Sequence, residues 1–286
     1  MRLVLLVSLV MIAFAANSVL NRLALAPGDM GPLSFATIRL VSGAAMLVGL
    51  VAWRDKGVHR FRRKIVFGGP LTLLLYVLGF SLAYVTLDAG VGALILFGAV
   101  QITMFAGAVL AREAIPLNRW AGAGLAFAGL VWLMWPAGGA APEVFGASLM
   151  VAAAIGWGLY SLIGRTAKDP LLETARNFAS AAPLCALVWV LMPDDATLRG
   201  AGLAMASGML TSGLGYALWY KVLPRLPAAV AAIAQLTVPV IAMGGGMVFL
   251  AEVPDLRFLL AAGLVSGGVS LSLYRPSQHP TGKDPL

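Results

Sequence analysis

Residues 90–110 read GVGALILFGAVQITMFAGAVL, a run of 21 residues that carries no charge. An α-helix rises 1.5 Å per residue, so this run forms a helix of about 30 Å, the thickness of the hydrocarbon core of a bilayer. Its apolar residues follow one another without the alternation that a strand of a membrane β-barrel needs. The stretch therefore predicts a transmembrane helix.

Nine further apolar runs extend the pattern over the whole chain. They lie at approximately 3–21, 33–53, 65–84, 118–135, 145–163, 172–192, 200–220, 228–250 and 257–274. Ten spans of about 20 residues use most of the 286 residues. The short remaining loops and tails leave no room for the nucleotide-binding domain of an ATP-driven pump. The first run also resembles a signal peptide, but a similar segment recurs in the second half, so we expect it to be retained.

The composition also predicts a membrane protein. Hydrophobic residues make up 60% of the chain, charged residues only 11%, and the mean hydropathy is +0.91. A soluble domain carries about 25% charged residues, and disordered chains are far less apolar. A single cysteine, Cys185, excludes a disulfide scaffold. We therefore expect an all-α integral membrane protein in the lipid bilayer.

The positions of lysine and arginine predict the orientation. With the N-terminus inside, fifteen of these residues fall in cytoplasmic segments and only Arg22, Arg199 and Arg257 fall outside. By the positive-inside rule both termini are cytoplasmic. The cluster from Arg54 to Lys64 is interpreted as a topology anchor, because one short loop is too small for a nucleic-acid surface.

Two sets of motifs recur in the chain. Phe14-x-x-Asn17-Ser18-x-x-x-Arg22 resembles Trp157-x-x-Tyr160-Ser161-x-x-x-Arg165, and Arg112-Glu113-Ala114-Ile115-Pro116 resembles Ala251-Glu252-Val253-Pro254. Apolar sequences match by chance, but the paired glutamates and the glycine spacing around them share one offset, which favours a true repeat. The predicted units are 1–138 and 139–275, each with five helices, followed by a cytoplasmic tail at 276–286. Five is odd, so the second unit is inverted, as in many transporters whose substrate site lies between the repeats.

The order of these features resembles the EamA-repeat proteins of the drug/metabolite transporter superfamily over nearly the whole chain. Trp157-Gly158-Leu159-Tyr160, Gly215-Tyr216-Ala217-Leu218-Trp219 and Tyr76 are similar to the YddG-type exporters of aromatic and other amino acids. The resemblance implies an exporter of the bacterial inner membrane, with ten helices around a central cavity lined by helices 1, 3, 4, 6, 8 and 9. Those exporters carry Tyr-x-Trp-Pro where this chain has Gly98-Ala99-Val100-Gln101, which implies a broader selectivity.

Eight residues near the middle or inner part of these helices are predicted to bind substrate. They are Tyr76, Phe97, Gln101, Trp157, Tyr160, Tyr216, Gln235 and Pro239. The two glutamines suit a zwitterion, because an amide both donates and accepts; the alternative is that they join packed helices. The aromatic residues are alternatively core or an interfacial belt. Pro239 either kinks its helix or frees a carbonyl group.

These features predict a secondary transporter that exports amino acids by alternating access. No Asp, Glu, His or Lys lies at the middle of a span, and because proton carriers use such groups, we expect uncoupled transport. A sugar-phosphate or nucleotide-sugar exchanger, or another metabolite or drug exchanger, is the alternative, but phosphates need several buried cations and Arg39 is the deepest. Membrane-depth His and clustered metal ligands are missing, so we expect no enzyme, cofactor or metal. Small-residue spacings at Gly124/Ala128 and Gly263/Gly267 are interpreted as packing within one chain, hence a monomer.

Overall fold

The structure is a computed structural model that describes residues 2–26, 28, 30–57, 67–112, 115–135, 142–164, 167–222, 225–226 and 228–273. Ten long helices occupy these ranges. They are α1 (Arg2–Leu25), α2 (Pro32–Asp55), α3 (Gly68–Ala83), α4 (Ala89–Leu110), α5 (Leu117–Met134), α6 (Val144–Gly164), α7 (Pro170–Leu191), α8, α9 (Ala228–Leu250) and α10 (Leu256–Leu273). Helix α8 continues through Leu198–Ala206, Ser207–Leu214 and Gly215–Val222, and its middle part is π-helical. The predicted all-α class is confirmed.

The helices pack in a pattern that relates the two halves of the chain. Helix α2 packs against α7 and α5 against α10, so that equivalent helices of the two halves meet. Helix α3 packs against α6 as α8 packs against α1, and α4 packs against α6 as α9 packs against α1. Each helix pair thus has an equivalent in which the two halves exchange places, which is the pairing expected of inverted repeats.

The outer surface of the bundle is apolar. Large hydrophobic side chains are exposed on every side, including Trp53, Phe127, Val190 and Phe249. Five helices, α1, α2, α4, α6 and α7, are long and apolar enough to cross a membrane as described, and α3 and parts of α9 and α10 are shorter apolar helices. Since a soluble protein rarely exposes such continuous apolar surface, the molecule is a multi-pass membrane protein.

Helices α5 and α10 meet through glycines, but not through those that the spacing predicted. A Cβ atom on Gly122 would meet the Gly268 carbonyl, and one on Gly268 would lie 2.5 Å from the Gly122 carbonyl oxygen. Gly124, Gly263 and Gly267 instead face open space. The interpretation of those spacings as packing within the chain is therefore wrong, because the contact face is rotated to the neighbouring glycines.

The two ends of the bundle carry opposite charge, and we name them the basic end and the acidic end. Among the described residues, the basic end holds Arg2, Arg54, Lys56, Arg112, Arg119, Lys168, Lys221 and Arg225, with Asp55, Asp169 and Glu173. The acidic end holds Asp88, Glu143, Asp194, Asp195, Glu252 and Asp255, with Arg22, Arg199 and Arg257. The predicted anchor residues Arg60, Arg62, Arg63 and Lys64 and the tail at 276–286 lie outside the described residues.

Each end joins the two halves of the chain. At the basic end, Arg54 of α2 pairs with Asp169, which precedes α7, at 2.7 Å. At the acidic end, the Asp194 carboxylate accepts hydrogen bonds from the backbone N–H groups of Leu33 and Ser34 at 2.7 and 2.9 Å. A carboxylate satisfies the free N–H groups at a helix N-terminus, so Asp194 fixes the start of α2 against the second half.

Candidate substrate site

Four aromatic side chains from three helices meet at the centre of the bundle. The Trp157 ring of α6 lies 4.9 Å from that of Tyr76 on α3 and 5.0 Å from that of Tyr216 on α8, measured between ring centroids. Tyr160 stacks on Trp157 at 5.6 Å. Phe14 of α1 meets Tyr216 edge to face at 5.9 Å. The structure therefore brings together four predicted site residues from both halves of the chain.

A small cavity lies against this aromatic cluster, between α1, α3, α4, α6 and α8. It is lined by Phe14, Asn17, Ser18, Tyr76, Phe80, Leu96, Phe97, Trp157, Thr211 and Tyr216. Its volume of about 20 Å³ holds about one water molecule. Tyr160 is buried behind Trp157, outside this lining. An amino acid does not fit, so the structure shows the central cavity in a closed form.

Asn17 forms the polar side of the cavity. Its side-chain oxygen accepts hydrogen bonds from Ser207 Oγ at 2.6 Å and from Thr211 Oγ1 at 3.1 Å. Its Nδ2 group donates to the Tyr76 hydroxyl at 3.4 Å. These four residues come from α1, α3 and α8, so one amide connects three helices. The sequence analysis placed Asn17 in the repeated motif but not in the predicted substrate site. Its polar side chain among the apolar residues of α1 could have indicated a role in the site.

Arg39 of α2 is completely buried beside this polar group. Its Nη2 donates to the Tyr76 hydroxyl at 3.0 Å, and its Nε donates to Ser212 Oγ at 3.1 Å. The guanidinium carbon lies 5.3 Å from the centre of the Tyr76 ring and 5.0 Å from that of Phe80. Cation–π contacts and hydrogen bonds stabilise a buried guanidinium. The residue therefore touches two side chains that line the cavity.

The π-helical part of α8 supplies the partners of Asn17 and Arg39. A π-helical turn is wider than an α-helical turn and is often found at functional sites. Here Ser207 and Thr211 face Asn17, and Ser212 faces Arg39. Gly208 lies so close to α2 that a Cβ atom there would meet Ser42 and the Arg39 carbonyl group. Nothing in the residue pattern of 200–220 predicted this interruption.

Three predicted site residues lie away from the central cavity. Gln101 lines a second crevice of about 250 Å³ between α4, α5 and α10, together with Phe105 and Arg119. It is one helical turn beyond Phe97 toward the basic end, where α5 and α10 are its neighbours. Gln235 is half-buried and Pro239 buried on α9, and neither is part of the described lining of the central cavity. The cavity therefore gathers Tyr76, Phe97, Trp157 and Tyr216, with Tyr160 behind.

Charged groups at the acidic end tie α1, α4 and the loop before α10 together. The Glu252 carboxylate accepts hydrogen bonds from the Ala89 N–H group at 3.0 and 2.9 Å. It also pairs with Arg22 at 3.5 Å, and Arg22 pairs with Asp88 at 3.4 Å. Burial raises the pKa of Glu252 above that of an ordinary glutamate, while the Ala89 N–H group and Arg22 oppose this rise. We call this set of residues, Arg22, Asp88, Ala89 and Glu252, the acidic-end tie.

Comparisons with known proteins find transporters. The EamA-like transporter family matches residues 1–135 and 144–274, one match in each half. An uncharacterized protein of Pseudomonas aeruginosa is 43% identical over 274 residues, which is 95% of this chain and 94% of that protein. The uncharacterized transporter YwfM of Bacillus subtilis is 28% identical over 90% of each chain. An uncharacterized transporter of Archaeoglobus fulgidus is 24% identical over 86% of this chain and 88% of its own.

A solved crystal structure has a similar fold. Its TM-score is 0.65, and the match covers 92% of this chain and 95% of that chain at 20% identity. At this identity the likeness concerns the fold alone. The helical bundle described above is therefore an arrangement that another chain of similar length also adopts.

Proposed function

This chain belongs to the EamA-like transporter family, and we propose that it is a secondary transporter that exports amino acids from a bacterial cell by alternating access. The observation that carries the proposal is the closed cavity at the centre of the bundle, which combines an aromatic wall with a polar corner. Trp157, Tyr216 and Phe97 provide the wall, and Asn17 and Tyr76 provide the polar corner. An amino acid with an apolar side chain matches this cavity, because its side chain fits the aromatic wall and its charged backbone groups fit the polar corner.

Alternating access is supported by where the cavity lies. Its lining comes from α1, α3 and α4 of the first half and from α6 and α8 of the second. Transporters built from inverted repeats hold their substrate between the repeats and open it to each side by moving the halves against each other. The small volume of the cavity is expected for a conformation between the one open to the cytoplasm and the one open to the opposite side.

The orientation that we propose places the basic end in the cytoplasm. The charges described at that end are mostly positive and those at the other end mostly negative, and short cytoplasmic loops are enriched in Lys and Arg. In this orientation both termini lie on the cytoplasmic side of the inner membrane. Export then runs from the basic end to the acidic end. We also propose that the transporter acts as a monomer, with both halves of the site on one chain.

Transport without proton coupling is supported by the buried groups. Among the described residues, the fully buried polar set comprises Asn17, Ser18, Asn21, Ser34, Thr37, Arg39, Ser81, Thr174, Ser207, Thr211 and Ser212. None of these is a carboxylate or a histidine, the groups that relay protons in many carriers; Glu252, whose side chain is 7% exposed, lies in the acidic-end tie and not among them. The sugar-phosphate or nucleotide-sugar alternative is less well supported, because Arg39 alone is a buried cation in this set.

Counterflow in liposomes tests this proposal. The purified protein is reconstituted, and exchange of radiolabelled aromatic, branched, small and charged amino acids is measured against a hexose phosphate and a nucleotide sugar. We expect exchange of apolar amino acids, with no uphill accumulation when a pH gradient is applied at constant membrane potential. Uphill uptake driven only by the pH gradient contradicts the uncoupled mechanism. Exchange of the phosphorylated compounds alone contradicts amino-acid export.

A further inference from the structure

Arg39 carries a positive charge in the interior of the bundle, and the residues described around it do not balance that charge. Its side chain is 0% exposed. A guanidinium group stays protonated in proteins, so burial does not neutralise it. The ion pairs that the structure describes, such as Arg22 with Asp88 and Arg54 with Asp169, lie at the two ends. Arg39 contacts hydroxyl groups and ring faces instead.

One hydrogen-bonding position of Arg39 is unused. Its Nη1 atom is buried and has no hydrogen-bond partner among the described residues. An unpaired charge in a membrane interior is unfavourable, and such residues usually mark a substrate or ion pathway. A guanidinium group presents several N–H donors in a plane that matches the two oxygens of a carboxylate. An anion at this position would accept from the unused donor and balance the buried charge at the same time.

The cavity is the available place for that anion. Tyr76 and Phe80 line the cavity, and the guanidinium of Arg39, which is not part of the lining, contacts both rings at 5.3 and 5.0 Å. The Tyr76 hydroxyl already accepts hydrogen bonds from Arg39 and from Asn17, so its own hydrogen can be donated, either to the buried Tyr216 hydroxyl beside it or to a ligand in the cavity. A carboxylate at the polar corner accepts that hydrogen bond and faces the positive charge. Among the described polar residues that are fully buried, none carries a carboxylate that could occupy this corner instead.

We propose that Arg39 anchors the carboxylate of the transported molecule, with Tyr76 as the group between them. This inference rests on the proposed transport function and narrows its substrate class to carboxylates that carry an apolar side chain. The ammonium group of an amino acid faces no buried acid in the described lining. A carboxylate without an ammonium group, such as a 2-hydroxy acid, is therefore accepted as well as the amino acid, and an amino-acid amide is rejected.

Analogues of phenylalanine distinguish the contribution of its carboxylate from that of its ammonium group. Counterflow of radiolabelled phenylalanine in liposomes containing the full-length protein is competed with unlabelled phenylalanine, with phenyllactate, which lacks the ammonium group, and with phenylalaninamide, which lacks the carboxylate. Direct exchange of labelled phenyllactate is measured in parallel. We expect phenyllactate to compete within about threefold of phenylalanine and phenylalaninamide to compete at least tenfold less well. Equal competition by the amide overturns the proposal without any mutation.

Variants then assign the preference to Arg39. In Arg39→Gln the preference for acid over amide should fall at least tenfold, and Arg39→Lys should restore part of it. Arg199→Gln, an exposed arginine at the acidic end, is the matched control and should keep the full preference. An Arg39→Gln protein that folds and retains the preference overturns the proposal. If Arg39→Gln does not fold, a reduced preference for acid over amide in Arg39→Lys supports the anchor, because lysine keeps the charge but not the planar guanidinium group, and an unchanged preference overturns it.

The outcomes also separate this inference from the proposed function. Exchange of amino acids without discrimination between acid and amide leaves amino-acid export intact and removes the anchor. Exchange of phenyllactate without exchange of any amino acid keeps the anchor and removes amino-acid export. If neither compound is exchanged, both proposals fail.

Discussion

Trp157 is the residue at the centre of the aromatic wall. Its ring contacts those of Tyr76, Tyr160 and Tyr216, and aromatic pairs contribute about 0.5–1.5 kcal/mol each beyond the area that they bury. Trp157→Ala should therefore reduce transport of large apolar amino acids about tenfold or more, and transport of alanine much less. Uptake at matched membrane expression measures this ratio.

Trp53→Ala is the control for that substitution. Trp53 is 83% exposed on the outer surface, so its loss should leave the ratio between large and small substrates unchanged. A Trp157→Ala protein that transports every amino acid as the wild type does would show that the aromatic cluster only packs the helices. The site assignment would then be wrong.

Part of the site could be predicted from single residues. Tyr76, Trp157 and Tyr216 were placed in the site through family resemblance, and they do meet. Gln101 was selected because an amide at mid-depth needs a polar neighbour, but the sequence does not say which neighbouring helix supplies it. The structure places Gln101 beside α5 and α10. Arg39 was visible as the deepest charge, yet its partners lie 37 and 173 residues away, beyond any local pattern.

At the scale of elements, the close contact between α2 and α8 depends on Gly208. A Cβ atom at this position would meet the Arg39 carbonyl and Ser42, and backbone atoms of a packed helix cannot move aside freely. Gly208→Ala should therefore separate the two helices and destabilise the protein by about 1–3 kcal/mol, as overpacking does elsewhere. The midpoint of thermal unfolding in detergent measures the effect.

Gly202 provides the control on the same helix. A Cβ atom at Gly202 meets nothing within 4 Å, so Gly202→Ala should be neutral or stabilise the helix by up to about 1 kcal/mol. Equal midpoints for the two variants would contradict the close contact. The ten apolar runs predicted the helices, but nothing in residues 200–220 indicated the π-helical part of α8, whose polar partners lie far away in the chain, on α1 and α2.

The acidic-end tie makes a prediction about pH. Burial raises the pKa of Glu252 in the closed form, whereas a solvated glutamate returns to its ordinary value. A proton is thus bound more tightly when the tie is formed, so protonation stabilises the tied form. The stabilisation is present at low pH and is lost as the pH rises through the raised pKa of Glu252. Acidifying the acidic-end side from pH 7 toward about 4.5, the ordinary glutamate value, should slow transport.

Glu252→Gln tests this dependence, because an amide resembles the protonated carboxyl group and does not titrate. The variant should show a slow rate that is the same at both pH values. Glu143→Gln is the control, since this exposed glutamate lies at the same end and the Gly146 and Phe145 N–H groups lower its pKa. A pH-dependent rate in Glu252→Gln equal to that of the wild type would assign the effect to another group. A rate that depends on pH in this way requires no proton to be carried with the substrate.

At the scale of the whole molecule, the charge difference between the two ends connects the fold to the direction of transport. The helices carry almost no charge between the ends. The charges that can determine the orientation in the bilayer are therefore those at the two ends. Lys and Arg in short loops resist translocation during insertion, so we expect the basic end to stay in the cytoplasm. In the proposed inverted arrangement, the second half enters the membrane in the opposite sense to the first, and its positive charges also lie at the basic end. Both halves therefore favour the same proposed orientation.

Cysteine labelling in intact cells tests that orientation. Ala196→Cys places an exposed thiol at the acidic end, and Lys56→Cys and Lys168→Cys place exposed thiols at the basic end. An impermeant maleimide should label position 196 and should reach positions 56 and 168 only after the membrane is opened. The native Cys185 is completely buried, so the wild type should remain unlabelled in intact cells. Labelling at position 56 from outside would reverse the topology and, with it, the proposed direction of export, because the basic end would then face away from the cytoplasm.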